Sequence, residues 1–233
     1  MTCHAFVFAR GGSKGLPGKN TRLLLGKPLI QYSVEVALQT FGIDKVFVST
    51  DDYDIAKVAR SIGAIVIERP ADLAQDDSSE WEAWKHAISW VIKMHGHFDQ
   101  FVSLPATSPL RHAKDVESAL HRKSIISADI CIAITPSSRS PYFNMVQKVS
   151  NNLIELVIKP SNYIYRRQES PKVFDITTVV YVADVDFIMK SNSLFDGTVT
   201  FIEVPKHRSI DIDDIHDFNF AESILNSALN EDG

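Results

Sequence analysis

The stretch HAFVFARGGSKGLPGK, residues 4–19, joins a short apolar run to a loop with four glycines and three cations. The run HAFVFA, residues 4–9, has the length and apolar character of a buried β-strand. Glycines let backbone N–H groups approach an anion closely, and successive N–H groups form an anion-binding concavity. The stretch therefore predicts a first strand that leads into a phosphate-binding loop. The alternative is an exposed basic turn between a strand and a helix.

Strand-like and helix-like segments alternate along most of the chain. Predicted strands cover residues 45–50, 64–68, 100–104, 129–135 and 198–204, and predicted helices cover residues 28–39, 53–62, 79–93 and 114–123. Such alternation is typical of right-handed βαβ units. We therefore expect an α/β fold of the three-layer Rossmann-like kind, with a mostly parallel sheet and helices on both faces.

The alternation weakens after Thr135 and resumes at residues 177–191. Residues 135–174 are rich in Pro, Asn, Ser and aromatic side chains, which indicates a β-rich excursion, a lid or an oligomer arm. With 233 residues, of which 45% are hydrophobic, the chain can form one sizeable core. We expect residues 1–233 to form a single domain with this arm inserted in it.

The charge is unevenly distributed. The net charge is −5, which argues against nucleic-acid binding. No Asp or Glu precedes Glu35, whereas five cations do: Arg10, Lys14, Lys19, Arg22 and Lys27. This local excess indicates a site for a small polyanion.

Two cysteines, Cys3 and Cys131, both lie in apolar runs. They are expected to be buried free thiols rather than a disulfide or a metal site. The apolar runs fall far short of the roughly 20 residues that a membrane helix needs, and the N-terminus lacks the pattern of a signal peptide. We expect a cytoplasmic protein that binds no membrane.

The glycine loop matches neither of the two commonest phosphate motifs. A Walker A loop needs glycine where Ser13 stands and Ser or Thr where Asn20 stands, and the dinucleotide pattern also needs a glycine at position 13. Polar residues nevertheless follow several predicted strands, where ligands bind in parallel sheets. These residues are Arg10, Asp51, Asp52, Arg69 and Thr107. For the two aspartates, capping of the next helix is the preferred interpretation.

Several segments carry a family resemblance. The densest covers residues 9–38, ARGGSKGLPGKN followed by LLGKPLIQYSVEVAL. The others, in order, are STDDYDIAKVARSIGA, RPADLAQDDSS, ATSPLR, RRQESPKVF and SIDIDDIHDFNFAE. Together they resemble the acylneuraminate cytidylyltransferases, the CMP-sialic acid synthetase family, over nearly the whole chain.

Enzymes of this family join CTP to the anomeric hydroxyl of an α-keto sugar acid, forming a CMP-sugar and releasing pyrophosphate. The resemblance implies a nucleotidyltransferase fold with Arg10, Lys14 and Lys19 as catalytic cations on the triphosphate. Cations there stabilise the departing charge. The resemblance also implies Asn20, Arg69 and Ser79 around the nucleotide. The glycine-loop residues Gly11, Gly12 and Ser13 and the strand-end residue Thr107 complete the predicted substrate-binding set.

The resemblance also makes Asp211 and Asp213 the binding pair for Mg²⁺, which prefers a few carboxylates with phosphate oxygens and water. In an extended segment these two side chains point to the same side. The alternative is that Asp213 or Asp214 caps the following helix. Whether Asp211 or a metal-bound water deprotonates the sugar hydroxyl stays open.

The segment RRQ, which contains Arg166, Arg167 and Gln168, is a candidate for binding the carboxylate of the sugar, because arginine pairs with carboxylates through two parallel hydrogen bonds. The alternative is a solvated arm or a dimer contact. Family members are typically homodimers that exchange an arm, and the resemblance places that arm at residues 135–174.

Two segments differ from the sequence that is usual in this family. LPATSPLR has Pro105 where LQPTSPLR has a sugar-contacting glutamine. DITTVVY has Asp175, Thr177 and Thr178 in place of the arginine, asparagine and glycine of RPNGAIY. Both changes fall where the acceptor sugar is expected. The donor is therefore expected to be CTP, while the acceptor stays open between sialic acid, a legionaminic or pseudaminic type of nonulosonic acid, and a 3-deoxy-octulosonate.

Two further functions stay open beside this one. One is a nucleotidyltransferase that acts on a sugar 1-phosphate. The other is a non-catalytic subunit that binds a nucleotide sugar and has lost the acceptor chemistry. The retained pair Asp211 and Asp213 argues against the second, because a binding module has less need of a metal ion.

Overall fold

The computed structural model describes residues 1–231, apart from the side chains of residues 151 and 229–231. Its strands are β1 Cys3–Phe8, β2 Leu23–Leu24, β3 Lys27–Pro28, β4 Lys45–Thr50, β5 Ile65–Glu68, β6 Gln100–Ser103, β7 Ile130–Pro136, β8 Val146–Lys148, β9 Ile154–Leu156, β10 Phe174–Asp184 and β11 Val199–Glu203. Its helices are α1 Leu29–Gln39, α2 Tyr53–Ser61, α3 Glu80–His95, α4 Ala113–Ile126, α5 Val185–Lys190 and α6 Ile215–Glu231. Among the described residues, no helix combines the length and apolar character needed to span a membrane.

Seven strands form the main sheet in the order β11-β7-β10-β6-β1-β4-β5. Strand β10 pairs antiparallel with β6 and β7, and the other neighbouring strands pair parallel. The prediction of a mostly parallel α/β sheet is thus confirmed. The carboxyl ends of β1, β4, β5, β6, β7 and β11 meet at one edge of the sheet, which is where ligands bind in such folds.

The core has one layer on each face of this sheet. Along β1, Ala5 and Val7 face a cluster that includes residues of α1, α2 and α4, while Phe6 faces a cluster built from α3 and α5. This alternation follows from the two-residue period of a strand. The tryptophan stripe of α3 belongs to the second cluster, since Trp81 and Trp84 are both buried. The three-layer arrangement is therefore the observed one.

A third apolar cluster fastens the glycine loop to the C-terminal part of the chain. It contains Leu16 of the loop together with Ile212, Phe218 and Ala221 from the approach to α6 and from α6 itself. Ile212 is fully buried. The two segments predicted to bind the triphosphate and the metal, nearly 200 residues apart in sequence, are thus held side by side by packing.

The segment 137–173, between β7 and β10, leaves the main sheet. It contains one two-stranded sheet, β8 paired with β9, and otherwise turns and short helical turns. Its regular strand content is smaller than the predicted β-rich excursion, because each of its strands has three residues. Where β10 returns to the sheet, its pairing with β7 shifts register between Ile176 and Tyr181, which marks a bulge at the departing DITTVVY segment.

Cys3 and Cys131 are free thiols, as expected, and both are buried. Burial raises the pKa of each to about 12, and for Cys3 the charge of Asp44 adds to the effect. Since the thiolate is the reactive form, neither group has the character of a nucleophile or a metal ligand.

Candidate active site

A cleft of about 510 Å³ opens at the carboxyl ends of β1, β5 and β6. Its walls are the glycine loop, the segment that follows β5, and the first turn of α3. The predicted site residues that line it are Arg10, Ser13, Lys14, Lys19, Asn20, Arg69, Ser79, Thr107 and Asp213. Residues spread over some 200 positions of sequence are therefore brought to one place.

The glycine loop owes its shape to two glycines and one buried amide. A side chain at Gly15 would overlap the backbone carbonyl oxygen of Asp213, so this position needs glycine for close approach. Gly18 has a φ of +66°, in the left-handed region, and precedes the short helical turn Lys19–Thr21. Buried Asn20 donates from its amide Nδ2 to the carbonyl oxygen of Arg10 at 3.0 Å, which ties the two ends of the loop together.

Lys19 connects the loop to the aspartate segment. Its side chain is 11% exposed, and its Nζ donates to the carbonyl oxygen of Ile212 at 2.5 Å. The same nitrogen lies 3.7 Å from Oδ1 of Asp213, whose side chain is 81% exposed. Lys19 is thus a structural anchor as well as a cleft-lining cation, a double role that the sequence alone did not indicate.

Gly11 and Gly12 were predicted to contact substrate, but neither lines this cleft. The Gly11 N–H donates to the carboxylate of Asp51 at 3.1 Å. Asp52 caps α2 by accepting from the Ile55 N–H at 2.9 Å. Capping was the preferred interpretation for both aspartates, and it is correct for Asp52 but not for Asp51. The STDD segment therefore supports the outer side of the loop.

Arg69 lines the cleft and is held rigidly by its neighbours. Its guanidinium donates to the carbonyl oxygen and the hydroxyl of Ser49 at 2.7 and 3.1 Å, and it lies over the ring of Phe8 at 5.6 Å. Burial lowers the pKa of Arg69, and the charges of Asp51 and Glu80 act in the opposite direction. A guanidinium fixed in this way offers a charged face to a ligand at little further entropic cost.

The three aspartates of the segment, Asp211, Asp213 and Asp214, have different contacts. Asp214 accepts from the N–H groups of His216 and Asp217 at 2.7 and 3.1 Å, so it performs the capping that was the alternative for this segment. Asp213 is left to face the cleft. On the other side of buried Ile212, Asp211 does not line the cleft, so only Asp213 of the predicted metal pair lies in its lining. The Oδ1 atom of Asp211 is buried and has no hydrogen-bond partner among the described residues.

Two carboxylates in the cleft were missed by the sequence reasoning. Glu80 is the first residue of α3, and desolvation raises its pKa, an effect to which the charge of Asp211 contributes. Asp76 forms ion pairs with Arg10, at 2.6 Å, and with Lys14. The RPADLAQDDSS segment contains Asp76, but nothing in its pattern indicated that this side chain reaches across the cleft.

The RRQ segment lies elsewhere. Arg167 and Gln168 line a separate cleft of about 430 Å³ near Pro136, Phe174 and Glu203, and this cleft shares no lining residue with the first. Arg167 donates to the carbonyl oxygen of Ser137 at 2.6 Å. Arg166 precedes this turn and is exposed. Within one described chain, the three residues therefore do not join the cleft of the glycine loop.

The lining of the cleft suits an anionic ligand. Arg10, Lys14, Lys19 and Arg69 supply positive charge, and the loop supplies closely approachable backbone. Such a wall stabilises the several negative charges of a polyphosphate. Fold and cleft together are those of an α/β enzyme class in which a nucleotide binds beyond the carboxyl ends of the strands.

Comparison with known proteins makes this class specific. A family model described as cytidylyltransferase matches residues 4–122. The chain is 31% identical to the CMP-N,N'-diacetyllegionaminic acid synthase of Legionella pneumophila, and the match covers 97% of each chain. It is 29% identical to the N-acylneuraminate cytidylyltransferase of Escherichia coli over 94% of this chain and 51% of that one, so it spans about half the length of that relative.

The fold has a counterpart among solved structures. CMP:2-keto-3-deoxy-manno-octonic acid synthetase complexed with CTP superposes with a TM-score of 0.72 at 19% identity, covering 98% of this chain and 100% of that one. This likeness confirms the nucleotidyltransferase fold. The chain belongs to the cytidylyltransferase family, of the acylneuraminate type that the sequence predicts, and is a nucleotidyltransferase.

Proposed function

We propose that this enzyme transfers the CMP group of CTP to the anomeric hydroxyl of an α-keto sugar acid of the nonulosonic class, releasing pyrophosphate. The observation that carries the proposal is the single cleft in which Arg10, Lys14 and Lys19 gather beside Asp213. The legionaminic and sialic acid substrates in the names of its relatives support the acceptor class. A cytoplasmic location goes with the proposal, since two free buried thiols are typical of a protein in a reducing compartment.

In the proposed reaction, the anomeric oxygen attacks the α-phosphorus and the bond to the bridging β-oxygen breaks. The electron pair leaves with pyrophosphate, whose charge is stabilised by Arg10, Lys14 and Lys19. Arg69, locked on Ser49 and Phe8, lines the same cleft and would contact the nucleotide there. The proton of the attacking hydroxyl passes to bulk water, because the unpartnered Oδ1 of Asp211 is assigned to a cation below and an oxygen bound to a cation is a poor base.

The aspartate pair suits a divalent cation. Asp211 and Asp213 flank Ile212, and the cap of α6 is provided by Asp214, so neither is committed to the helix. A buried carboxylate oxygen without a partner, as in Asp211, is costly unless a ligand satisfies it. We therefore assign Mg²⁺ to this pair, where it would neutralise phosphate charge and orient the α-phosphate.

One residue from each departing segment, Pro105 from the first and Thr178 from the second, contacts the same arginine. Arg111, which is 2% exposed, donates from Nη2 to the carbonyl oxygens of Pro105 and Thr178 at 2.5 and 3.0 Å. The hydroxyls of Ser108 and Thr178 are 2.7 Å apart. Thr177 is buried and donates to the carbonyl oxygen of Ala133, so it does not face this patch. We place the acceptor sugar here, next to Thr107 of the cleft.

A pyrophosphate-release assay with CTP and a panel of acceptors tests the function and this patch together. The panel holds sialic, legionaminic and pseudaminic acids, a 3-deoxy-octulosonate and sugar 1-phosphates. We expect turnover with a nonulosonic acid. In the double variant Pro105→Gln/Thr178→Gly, the kcat/KM ratio should move at least about tenfold toward sialic acid, because one polar contact changes discrimination by about 1–3 kcal/mol.

The KM for CTP is the internal control for that variant and should stay constant. Turnover only with sugar 1-phosphates would replace the proposed acceptor class. CTP binding without turnover of any acceptor would indicate the non-catalytic subunit. An unchanged acceptor ratio in the double variant would move the acceptor site away from Pro105 and Thr178.

We further propose that the enzyme is a homodimer joined through the segment 137–173. The hairpin of β8 and β9 exposes apolar side chains: Val146 is 53% exposed, Leu153 64% and Ile154 63%. An isolated two-stranded sheet is marginally stable in water, so these side chains need a covering surface. A second copy of the chain provides one, and the arm would then bring Arg166, Arg167 and Gln168 toward the partner.

The variant Ile154→Asp should convert the dimer to monomer in light scattering after gel filtration, because a charge buried at an interface costs several kcal/mol. Phe41→Asp is the matched control, since Phe41 is 87% exposed but lies in the turn between α1 and β4. That control should keep twice the monomer mass. A wild-type protein that runs as a monomer at micromolar concentration would contradict the proposed dimer.

A further inference from the structure

Asp76 occupies the position where the proposed function places phosphate charge. Its Oδ1 lies 2.6 Å from Nη1 of Arg10, and its Oδ2 forms an ion pair with Nζ of Lys14. One carboxylate therefore bridges two of the three cations assigned to the triphosphate. The hydrogen bond from Lys14, and to a smaller extent that from Arg10, hold the pKa of Asp76 below its usual range. The carboxylate of Asp76 is therefore ionised at neutral pH.

The segment that carries Asp76 is attached to the cleft mainly by this bridge. Residues 74–78 connect the short helical turn Ala71–Leu73 to α3, and their hydrogen bonds stay local. Ser78 donates to the carbonyl oxygen of Asp72 at 2.8 Å, and Gln75 donates to that of Ala71 at 2.7 Å. Among the hydrogen bonds and ion pairs of the described residues, those of Asp76 alone link residues 74–78 to the glycine loop.

The carboxylate and a polyphosphate cannot both hold these cations at full strength. A ligand that brings phosphates to Arg10 and Lys14 adds negative charge beside Asp76, and like charges at contact distance repel. The ligand must therefore displace the carboxylate. A part-exposed bridge of this kind is weak enough to be displaced, since the side chains of Asp76 and Lys14 are 42% and 79% exposed.

Resting on the proposed function, we propose that Asp76 is an internal competitor of pyrophosphate and so a determinant of its release. In the free enzyme the carboxylate holds Arg10 and Lys14. CTP displaces it on binding. After the transfer, the carboxylate returns to the same two cations and lowers their affinity for the pyrophosphate that remains. The enzyme thereby keeps strong cations for the transfer and still releases a highly charged product.

Asp76→Asn tests this role because it keeps the side-chain shape and removes the competing charge. Calorimetric titration with pyrophosphate and Mg²⁺ should give binding about threefold to tenfold tighter than wild type, the range expected for two part-exposed ion pairs. Product inhibition by pyrophosphate should strengthen by the same factor. Asp77→Asn is the matched control, because it removes the same charge one position further along the chain. Asp77 is exposed and forms no ion pair among the described residues.

The double variant Arg10→Ala/Lys14→Ala, titrated alongside, separates this inference from the function beneath it. If the double variant binds pyrophosphate as well as wild type, the phosphate assignment itself is wrong. If the double variant loses affinity while Asp76→Asn binds pyrophosphate no more tightly than Asp77→Asn, the cations keep their role and the competitor is overturned. Weaker binding by Asp76→Asn overturns it as well, because Asp76 would then be positioning the cations for the ligand.

Discussion

Lys19→Ala is expected to lower kcat/KM for pyrophosphate release from CTP by about 100-fold to 1,000-fold, the range found when one preorganised donor to a developing negative charge is removed. Lys19 is the most buried of the three cations of the glycine loop, so water screens its charge least. The variant also leaves the carbonyl oxygen of Ile212 without its donor, which should loosen the aspartate segment. The loss of positive charge and the loosening of the aspartate segment both slow the transfer of the CMP group.

Two controls separate the loss of charge from a loss of structure. Lys27→Ala removes a cation that pairs with Glu35 at 2.9 Å outside the cleft, and it should leave turnover unchanged. Lys19→Arg keeps the charge and should recover part of the activity. The thermal midpoint of Lys19→Ala should fall by about 2–12 °C, because about 1–3 kcal/mol is lost with one buried hydrogen bond and each kcal/mol is worth about 2–4 °C in a chain of this length. Pyrophosphate release at the wild-type rate would remove Lys19 from the triphosphate.

Asp211→Asn and Asp213→Asn are each expected to lower kcat by about 1,000-fold, as the loss of several kcal/mol of charge stabilisation by a metal ion requires. The amide keeps the shape of the carboxylate but removes its negative charge, which Mg²⁺ needs. Raising the Mg²⁺ concentration should partly restore Asp213→Asn, whose exposed side chain allows water to replace it. A chelator should abolish wild-type turnover, measured by the same pyrophosphate assay.

Asp214→Asn is the matched control for this pair. Asp214 serves as the cap of α6, and asparagine caps a helix as well as aspartate does. This variant should retain wild-type turnover and the wild-type Mg²⁺ dependence. If Asp211→Asn and Asp213→Asn showed the same Mg²⁺ dependence as Asp214→Asn, the metal assignment would have to move elsewhere.

Local pattern was enough for most of the fold. The strand predicted at residues 45–50 is observed as β4 with the same bounds, and most other elements shift by one to three residues at their ends. The antiparallel direction of β10 was not predictable, because an apolar strand pattern has no direction. The segment between β7 and β10 was expected to be richer in strands than it is. Its composition indicates that the regular alternation stops there, but it does not specify which residues pair.

The site was predicted where residue type and position at a strand end coincide. Arg10, Arg69 and Thr107 follow three different strands and meet in one cleft for that reason. Contacts between loops distant in sequence were beyond reach, which explains why the bridge of Asp76 and the anchor from Lys19 to Ile212 were missed. Gly11 was predicted to contact substrate because the N–H groups of the glycine loop were expected to face an anion, yet its N–H faces Asp51.

Calorimetric titration of the enzyme with CTP in the presence of Mg²⁺ tests the central claim most directly. The account predicts one saturable site per chain, weakened strongly in Lys19→Ala and unchanged in Lys27→Ala. Absence of binding by the wild-type enzyme, or equal affinity in Lys19→Ala, would contradict it.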